Sequence, residues 1–261
     1  MRLPVAVERA AAALGVPAET LSPIGGATGQ SWACGDHVVR IGTAEGLRRE
    51  LLAMSAAAVA VPVPEVLQCA HYGDGPQATR AALLMSRLPG RPAGEVFELP
   101  VTEAGRIGEA CGRLHARLAV VAAPAGVDAA PDGSEGADAE QARSDTASGA
   151  CLLHLDLHPL NVLVEAGEVT GVLDWSNAAA GEGVLDRART WSVLTLEPVV
   201  LPFRDEPRFS ALREGWSAAG GFEELPVAAR RWACRYMLRD LAGRYSPDRL
   251  AHVRRLLAQL D

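Results

Sequence analysis

Lysine is missing from this sequence of 261 residues, so all 25 basic side chains are arginine. The replacement is complete and matches a GC-rich coding bias. Paired cysteines are missing too. Cys34, Cys69, Cys111, Cys151 and Cys234 are odd in number, scattered and free of any CxxC, which excludes a disulfide framework or a zinc site read from spacing. No stretch approaches the roughly 18 uncharged apolar residues of a membrane span. The N-terminus has no basic region followed by an apolar core and cleavage site. We therefore expect a cytoplasmic chain that makes no use of a membrane, with its thiols mostly small core residues. No internal repeat is visible, and with 49% hydrophobic residues the chain can bury one large domain or two modest lobes.

Charge is unevenly placed. Residues 1–92 carry eight arginines against seven acids and residues 93–261 carry 17 against 25, so the net −7 splits into +1 and −8. An acidic second part argues against nucleic acid as a partner and suits a cationic small molecule, although a solvated acidic surface is the plainer reading. Oligomeric state is not legible in the residues.

Pro4 to Leu14 is alanine-rich and predicts a helix ending at Gly15. Short apolar runs at Thr20 to Ile24, Ser31 to Cys34 and His37 to Ile41, separated by GGATG and Gly35-Asp36, predict three antiparallel strands. Ala44 to Val59 predicts a helix, and Val66 to Ala70 and Ala81 to Met85 predict two more strands. The cluster Leu88-Pro89-Gly90-Arg91-Pro92 is the expected lobe boundary. Beyond it, Ile107, Cys111, Leu114 and Leu118 mark an amphipathic helix over Val101 to Val121. Residues 122–150, with six acids, one arginine and almost no large apolar side chain, predict a mobile surface loop. Asn161 to Val164 and Val169 to Leu173 predict a hairpin around Glu165-Ala166-Gly167-Glu168. The rest is expected to be mainly helical, with Ser246-Pro247-Asp248 starting the last helix.

The strongest motif is HLDLHPLN, His154 to Asn161, followed thirteen residues later by Asp174 in GVLDW. HxDxxxxN with a later Asp is the kinase catalytic-loop pattern. Phosphoryl transfer needs these residue types: a magnesium nucleotide wants hard oxygen ligands, which Asn161 and Asp174 supply, and a carboxylate, Asp156, must hold the acceptor hydroxyl and take its proton late. The hairpin between Asn161 and Asp174 brings them side by side.

These segments, HLDLHPLNVLV, EAGEVT and GVLDW, resemble those of the aminoglycoside phosphotransferases and their relatives, the choline and homoserine-type kinases. The resemblance covers most of the chain and implies an α+β, bilobal, protein-kinase-like fold. A small antiparallel-sheet lobe (1–88) would bind ATP or GTP, and a mainly helical lobe (89–261) would carry catalysis and the small-molecule substrate. By it Asp156 is the catalytic base, Asn161 and Asp174 bind Mg2+, and Asp186 in GEGVLDRA matches an Asp that is usually structural. Gly112 to Ala116 matches a GRLHA-like segment before the catalytic loop. Arg40 stands where the family places its phosphate-contacting lysine, with Glu50 as its partner carboxylate. Gly25 and Gly26, in IGGATGQSWAC, resemble the nucleotide-covering hairpin without completing GxGxxG, and Met85 would line the adenine slot. Leu155 departs from the family's HGD by replacing its glycine. The implied substrate is an aminoglycoside or other amine-bearing antibiotic, with resistance as the outcome; a primary metabolite such as an amino alcohol or sugar is the runner-up. Glu182, Glu197, Asp205 and Glu206 are candidates to meet substrate amines.

Two other classes compete. His154, Asp156 and His158 alternate as metal ligands on one strand face would, which suggests a metallohydrolase, although Pro159 ends any strand and no second histidine pair follows. A nucleotide-binding protein without catalysis would fit the missing lysine. GQSWA fails the GxSxG elbow at its last position, so serine-hydrolase chemistry has no support.

Overall fold

The computed structural model describes residues 3–24, 30–73, 79–131 and 150–261. The first helix, α1 (Val5–Leu14), stops at Gly15, whose left-handed φ of 66° lets the next N–H groups close back on Ala11 and Ala12. The expected strand at Thr20 begins late. Ala18–Thr20 is a 3-10 turn, closed by the Thr20 hydroxyl on the Pro17 carbonyl (2.7 Å), so β1 is only Ser22–Pro23. Then follow β2 (Ser31–Cys34), β3 (His37–Thr43) and α2 (Ala44–Ala57), whose N-terminus is capped by the Thr43 hydroxyl accepting from Gly46 N–H at 3.0 Å. With β4 (Val66–Tyr72) and β5 (Arg80–Ser86) the five strands form one antiparallel sheet in the order β1-β2-β3-β5-β4.

Register divides the residues of this sheet between its faces. Val39, Ile41 and Ala82 join the core under α1. Val38, Leu83 and Met85 turn the other way, into the main core that continues through the helices of the second part. Arg40, directly across from Leu83, shares that second face, because side chains alternate along a strand and cross-strand partners point together.

The expected boundary cluster contributes β6 (Arg91–Pro92), which pairs with a later hairpin instead of standing free. Next comes α3 (Val101–Leu118), with Ile107, Cys111, Leu114 and Leu118 all buried. After β7 (Cys151–Leu153), the hairpin β8 (Val162–Glu165) and β9 (Glu168–Val172) turns through Ala166 and Gly167, both at positive φ (51° and 84°). β10 (Ala179–Gly181) runs antiparallel to β7, and four helices complete the chain: α4 (Gly183–Leu196), α5 (Pro207–Gly220), α6 (Val227–Asp240) and α7 (Ala251–Leu260). The last starts later than Ser246 suggests, since residues 246–251 form successive i→i+3 turns first. α3 and α5 approach so closely that a Cβ on Gly108 would lie 2.0 Å from the Leu212 carbonyl, and one on Gly112 2.6 Å from that of Trp216. That is why the GRLHA segment tolerates only glycine at its first position.

Of the acidic loop, residues 132–149 lie outside the described residues. Its near flank is anchored: Ala122 bridges Cys151, Ala129 bridges Ala180, and Trp232 Nε1 donates to the Pro131 carbonyl at 2.9 Å. Among the described residues no helix is long and apolar enough to cross a membrane. The architecture is α+β, with an antiparallel sheet in the N-terminal region and a helical C-terminal region.

Candidate active site

The segment after β7 is irregular, so its backbone groups must find partners elsewhere. α4 supplies them. Asp186, Arg189 and Thr190 stand at i, i+3 and i+4, hence on one face of the helix, and all three are buried. Asp186 Oδ1 accepts from His154 N–H (3.0 Å) and Leu155 N–H (2.7 Å); Arg189 Nε donates to the Leu155 carbonyl (3.3 Å); Thr190 donates to the Leu157 carbonyl (2.9 Å). The other Asp186 oxygen meets His115 Nδ1 at 3.2 Å. Trp216 Nε1 donates to His115 Nε2, so His115 is the neutral tautomer with its proton on Nδ1, toward Asp186. Burial pushes the Asp186 carboxyl up, yet these donors hold it below the usual carboxylate range. Arg189 is itself fixed by Asp240 (2.5 Å) and by the Tyr236 ring, 4.7 Å from its guanidinium.

Under this bracing Leu155 adopts φ 58°, a conformation that glycine enters without steric penalty. The family's glycine is thereby explained, and so is the exception: the Leu155 side chain is 1% exposed and packs in the main core. His154 ties the loop to the far side of the site. Its Nε2 donates to the Leu173 carbonyl (3.0 Å) and its Nδ1 accepts from Asp156 N–H (3.2 Å). Burial lowers its pKa, which agrees with a neutral ring. It also packs against Trp175, ring centres 4.5 Å apart.

Asp156 and Asn161 meet directly. Asn161 Nδ2 donates to the Asp156 carbonyl (3.0 Å) and lies 3.4 Å from its carboxylate and 3.2 Å from His158 Nε2. These contacts all fall on the amide nitrogen of Asn161. Leu173 N–H donates to the Asn161 carbonyl at 2.8 Å, one step beyond the Val162–Val172 pair, so Asp174 follows at the same open end of the hairpin. Asp174 has a left-handed backbone (φ 57°, ψ 72°), which aspartate tolerates better than most residues.

Arg40 reaches this end from β3. Its Nη2 donates to Asp174 Oδ1 (2.8 Å), its Nε to Glu50 Oε2 (3.4 Å) and its Nη1 to the Ser31 hydroxyl (3.4 Å). Ser176 donates to the same Asp174 oxygen at 2.7 Å. Glu50 lies on the buried stripe of α2 with Leu47, Ala53, Met54 and Ala57. Burial raises its pKa, and Arg40 and the Trp175 N–H oppose that rise. Burial would raise Asp174 as well, but Arg40 and Ser176 hold it below the usual range. The side chains of Arg40 and Glu50 are 7% and 6% exposed, whereas those of Asp174 and Asp156 keep 30% and 22%, so the two carboxylates face solvent and their neighbours do not.

Asp156, Asn161, Asp174, Arg40 and Glu50 are therefore brought together. Met85 is on the same sheet face as Arg40, two residues further along the strand pair, and is mostly buried in the core. Gly25 and Gly26 lie outside the described residues. The four acids proposed for amines separate: Glu206 caps α5 by accepting from Arg208 and Phe209 N–H, Asp205 pairs with Arg204 at the surface, and Glu182 occupies the N-cap position of α4. Only Glu197, half-buried at the end of α4, is raised by burial while feeling the charges of His158, Arg189 and Asp156. The metallohydrolase reading loses its geometry, because His154 is turned into the interior on Leu173. Among the described residues no group of three His, Cys, Asp or Glu side chains is placed to hold a metal. Sequence reasoning passed over Arg189, Thr190, Ser31 and Ser176; the polar i, i+3, i+4 triplet on an otherwise apolar helix was the signal for the first two.

A family profile, the phosphotransferase enzyme family (APH), matches residues 35–149 and 135–232. The chain belongs to this family. It is accordingly a phosphotransferase acting on hydroxyl groups. No curated protein matches it in sequence. Solved structures agree in fold: a thermostable mutant of aminoglycoside phosphotransferase APH(4)-Ia (TM-score 0.60, 17% identity, 92% of this chain and 93% of that one), and amicoumacin kinase hAmiN in complex with AMP-PNP, Ca2+ and Ami (TM-score 0.60, 13% identity, 93% and 88%). A third is the GDP and kanamycin complex of an APH(2") enzyme (TM-score 0.56, 14% identity, 93% of each chain).

Proposed function

We propose that this phosphotransferase moves the γ-phosphoryl group of ATP or GTP onto a hydroxyl of an amine-bearing natural product such as an aminoglycoside, inactivating it in the cytoplasm. The observation that carries the reading is the convergence of Asp156, Asn161, Asp174 and Arg40 from three separate segments, the loop after β7, the end of the β8–β9 hairpin and β3, with the two carboxylates turned to solvent. In this reading Asp156 orients the acceptor hydroxyl and takes its proton as the bond to phosphorus forms. The Asn161 amide oxygen and the second Asp174 oxygen suit a hard divalent cation, since the side-chain hydrogen bonds of these two residues fall on Asn161 Nδ2 and Asp174 Oδ1. Magnesium held there would neutralise the triphosphate and the developing charge of the leaving group. Arg40, steadied by Glu50, contacts the phosphates, with Met85 beside the base. Residues 1–88 form the nucleotide part and 89–261 the catalytic part.

Three related structures motivate the substrate class: an APH(4)-Ia mutant holds ADP with hygromycin B, the APH(2") enzyme holds GDP with kanamycin, and the amicoumacin kinase holds AMP-PNP. Glu197 adds a half-buried carboxylate beside the catalytic loop, and five free thiols suit a reducing compartment. The test is release of nucleoside diphosphate from ATP and from GTP, with magnesium, in the presence of aminoglycosides, other amine-bearing antibiotics, amino alcohols and sugars. Turnover confined to the first two classes is expected. Turnover confined to amino alcohols or sugars would replace the antibiotic by a primary metabolite.

A further inference from the structure

Arginine at position 40 does something a lysine could not. Its three nitrogens are each committed to a different partner: Nε to Glu50 (3.4 Å), Nη1 to Ser31 (3.4 Å) and Nη2 to Asp174 (2.8 Å). The partners come from α2, from β2 and from the second residue past β9, so one rigid planar fork spans both parts of the molecule. A lysine ammonium carries its three donors on one nitrogen, so it would have to meet all three partners from a single point instead of from a planar fork. The shortest of the three contacts falls on the carboxylate placed to hold the metal.

That contact has an electrostatic consequence. Asp174 Oδ1 is saturated, accepting from Arg40 and from the Ser176 hydroxyl (2.7 Å). A divalent cation approaching the remaining oxygen would sit beside a guanidinium whose side chain is only 7% exposed, where water screens little. Positive charges on the two oxygens of one carboxylate repel, so each weakens the other's hold on Asp174. A phosphate chain offers Arg40 a better partner, because guanidinium and phosphate pair bidentately. We propose that Arg40 is the internal counter-ion of Asp174 and competes with the divalent cation for it, the phosphate chain of the nucleotide drawing Arg40 off and freeing the carboxylate.

The exchange rests on the phosphotransferase site described above and goes beyond it in one respect: Arg40 weakens metal binding by itself while strengthening binding of metal and nucleotide together. Glu50 keeps the displaced guanidinium tethered, so Arg40 moves between Asp174 and phosphate without leaving the site. Arg40→Lys retains a positive charge for Glu50 but gives up the fork, and Arg40→Gln removes the competing charge.

The experiment titrates Mn2+, as a paramagnetic probe of the magnesium position, into the full chain by electron paramagnetic resonance, first alone and then with a saturating non-hydrolysable nucleoside triphosphate. Wild type is expected to bind Mn2+ alone weakly. Arg40→Gln is expected to bind Mn2+ alone more tightly, by a factor within the roughly 5- to 150-fold range of coupled sites, and to bind the triphosphate less tightly. Arg40→Lys should fall between, and it serves as the readout if thermal melting shows that Arg40→Gln does not fold. Unchanged or weaker binding of Mn2+ alone in a folded variant overturns the competition while leaving the kinase reading standing. If neither wild type nor variants bind Mn2+ even with triphosphate, the metal assignment itself fails.

Discussion

Two banks enclose the site, and they are built differently. On the sheet bank, Arg40 pairs with both Glu50 and Asp174 through ion pairs that a ligand of the right charge can exchange. On the loop bank, the backbone from His154 to Leu157 is held by Asp186, Arg189 and Thr190 through short hydrogen bonds that are buried and that no ligand replaces. The difference matches what phosphoryl transfer asks of each side. The nucleotide side must accept and release a highly charged molecule in every cycle, whereas the base must stay fixed in orientation while it waits for a proton.

Breaking each bank should fail in its own way. Asp156→Ala removes the proposed base and, of the loop's contacts, only those from Asn161 and His158 to its carboxylate, so turnover should fall by about 10²- to 10⁴-fold while the melting temperature hardly moves. Steady-state kinetics beside thermal melting checks this, and retained turnover would remove Asp156 from its role. Asp186→Ala strikes the bracing instead. It leaves two loop N–H groups and His115 without their acceptor in a buried setting, a cost of about 3–5 kcal/mol visible in denaturant unfolding. An unfolding midpoint equal to wild type would show that the loop does not depend on it.

Leu155→Gly weighs strain against packing at one residue. Relief of the left-handed backbone returns about 1–2 kcal/mol, while loss of a fully buried leucine costs about 2–5, so net destabilisation of about 1–3 kcal/mol is expected despite restoring the family's residue. A glycine variant more stable than wild type would mean that strain dominates.

The smallest effect is one of pH. Burial lowers the His154 pKa below its ordinary 6.5, so the unfolded chain binds the proton more readily and stability falls as pH drops through that value. Stability should therefore fall between pH 7 and 5.5, and His154→Gln should flatten the fall. A wild-type melting temperature that is level over this interval speaks against a buried neutral His154.

The contrast between the banks also explains what was legible beforehand. HLDLHPLN and GVLDW announce themselves because the chemistry fixes residue types at short spacing, and α3 because its apolar stripe is regular over eighteen residues. β6, β7 and β10 escape because strands of two or three residues show no period; their pairing is decided by where the rest of the chain leaves unpaired backbone. The pairing of Arg40 with Glu50 was expected from the resemblance, but the meeting of Arg40 with Asp174 joins residues 134 positions apart, which no local pattern encodes. The late start of α7 is a local miss of another kind: Ser246 and Pro247 shape turns that precede the helix without capping it.

The most direct test of the account is calorimetric titration of a magnesium-loaded, non-hydrolysable triphosphate into wild type, Asp156→Ala and Asp174→Ala. The site described here predicts equal binding by the first two and binding weakened more than about tenfold in the third. Equal binding by all three, or its loss in Asp156→Ala with the fold intact, contradicts it.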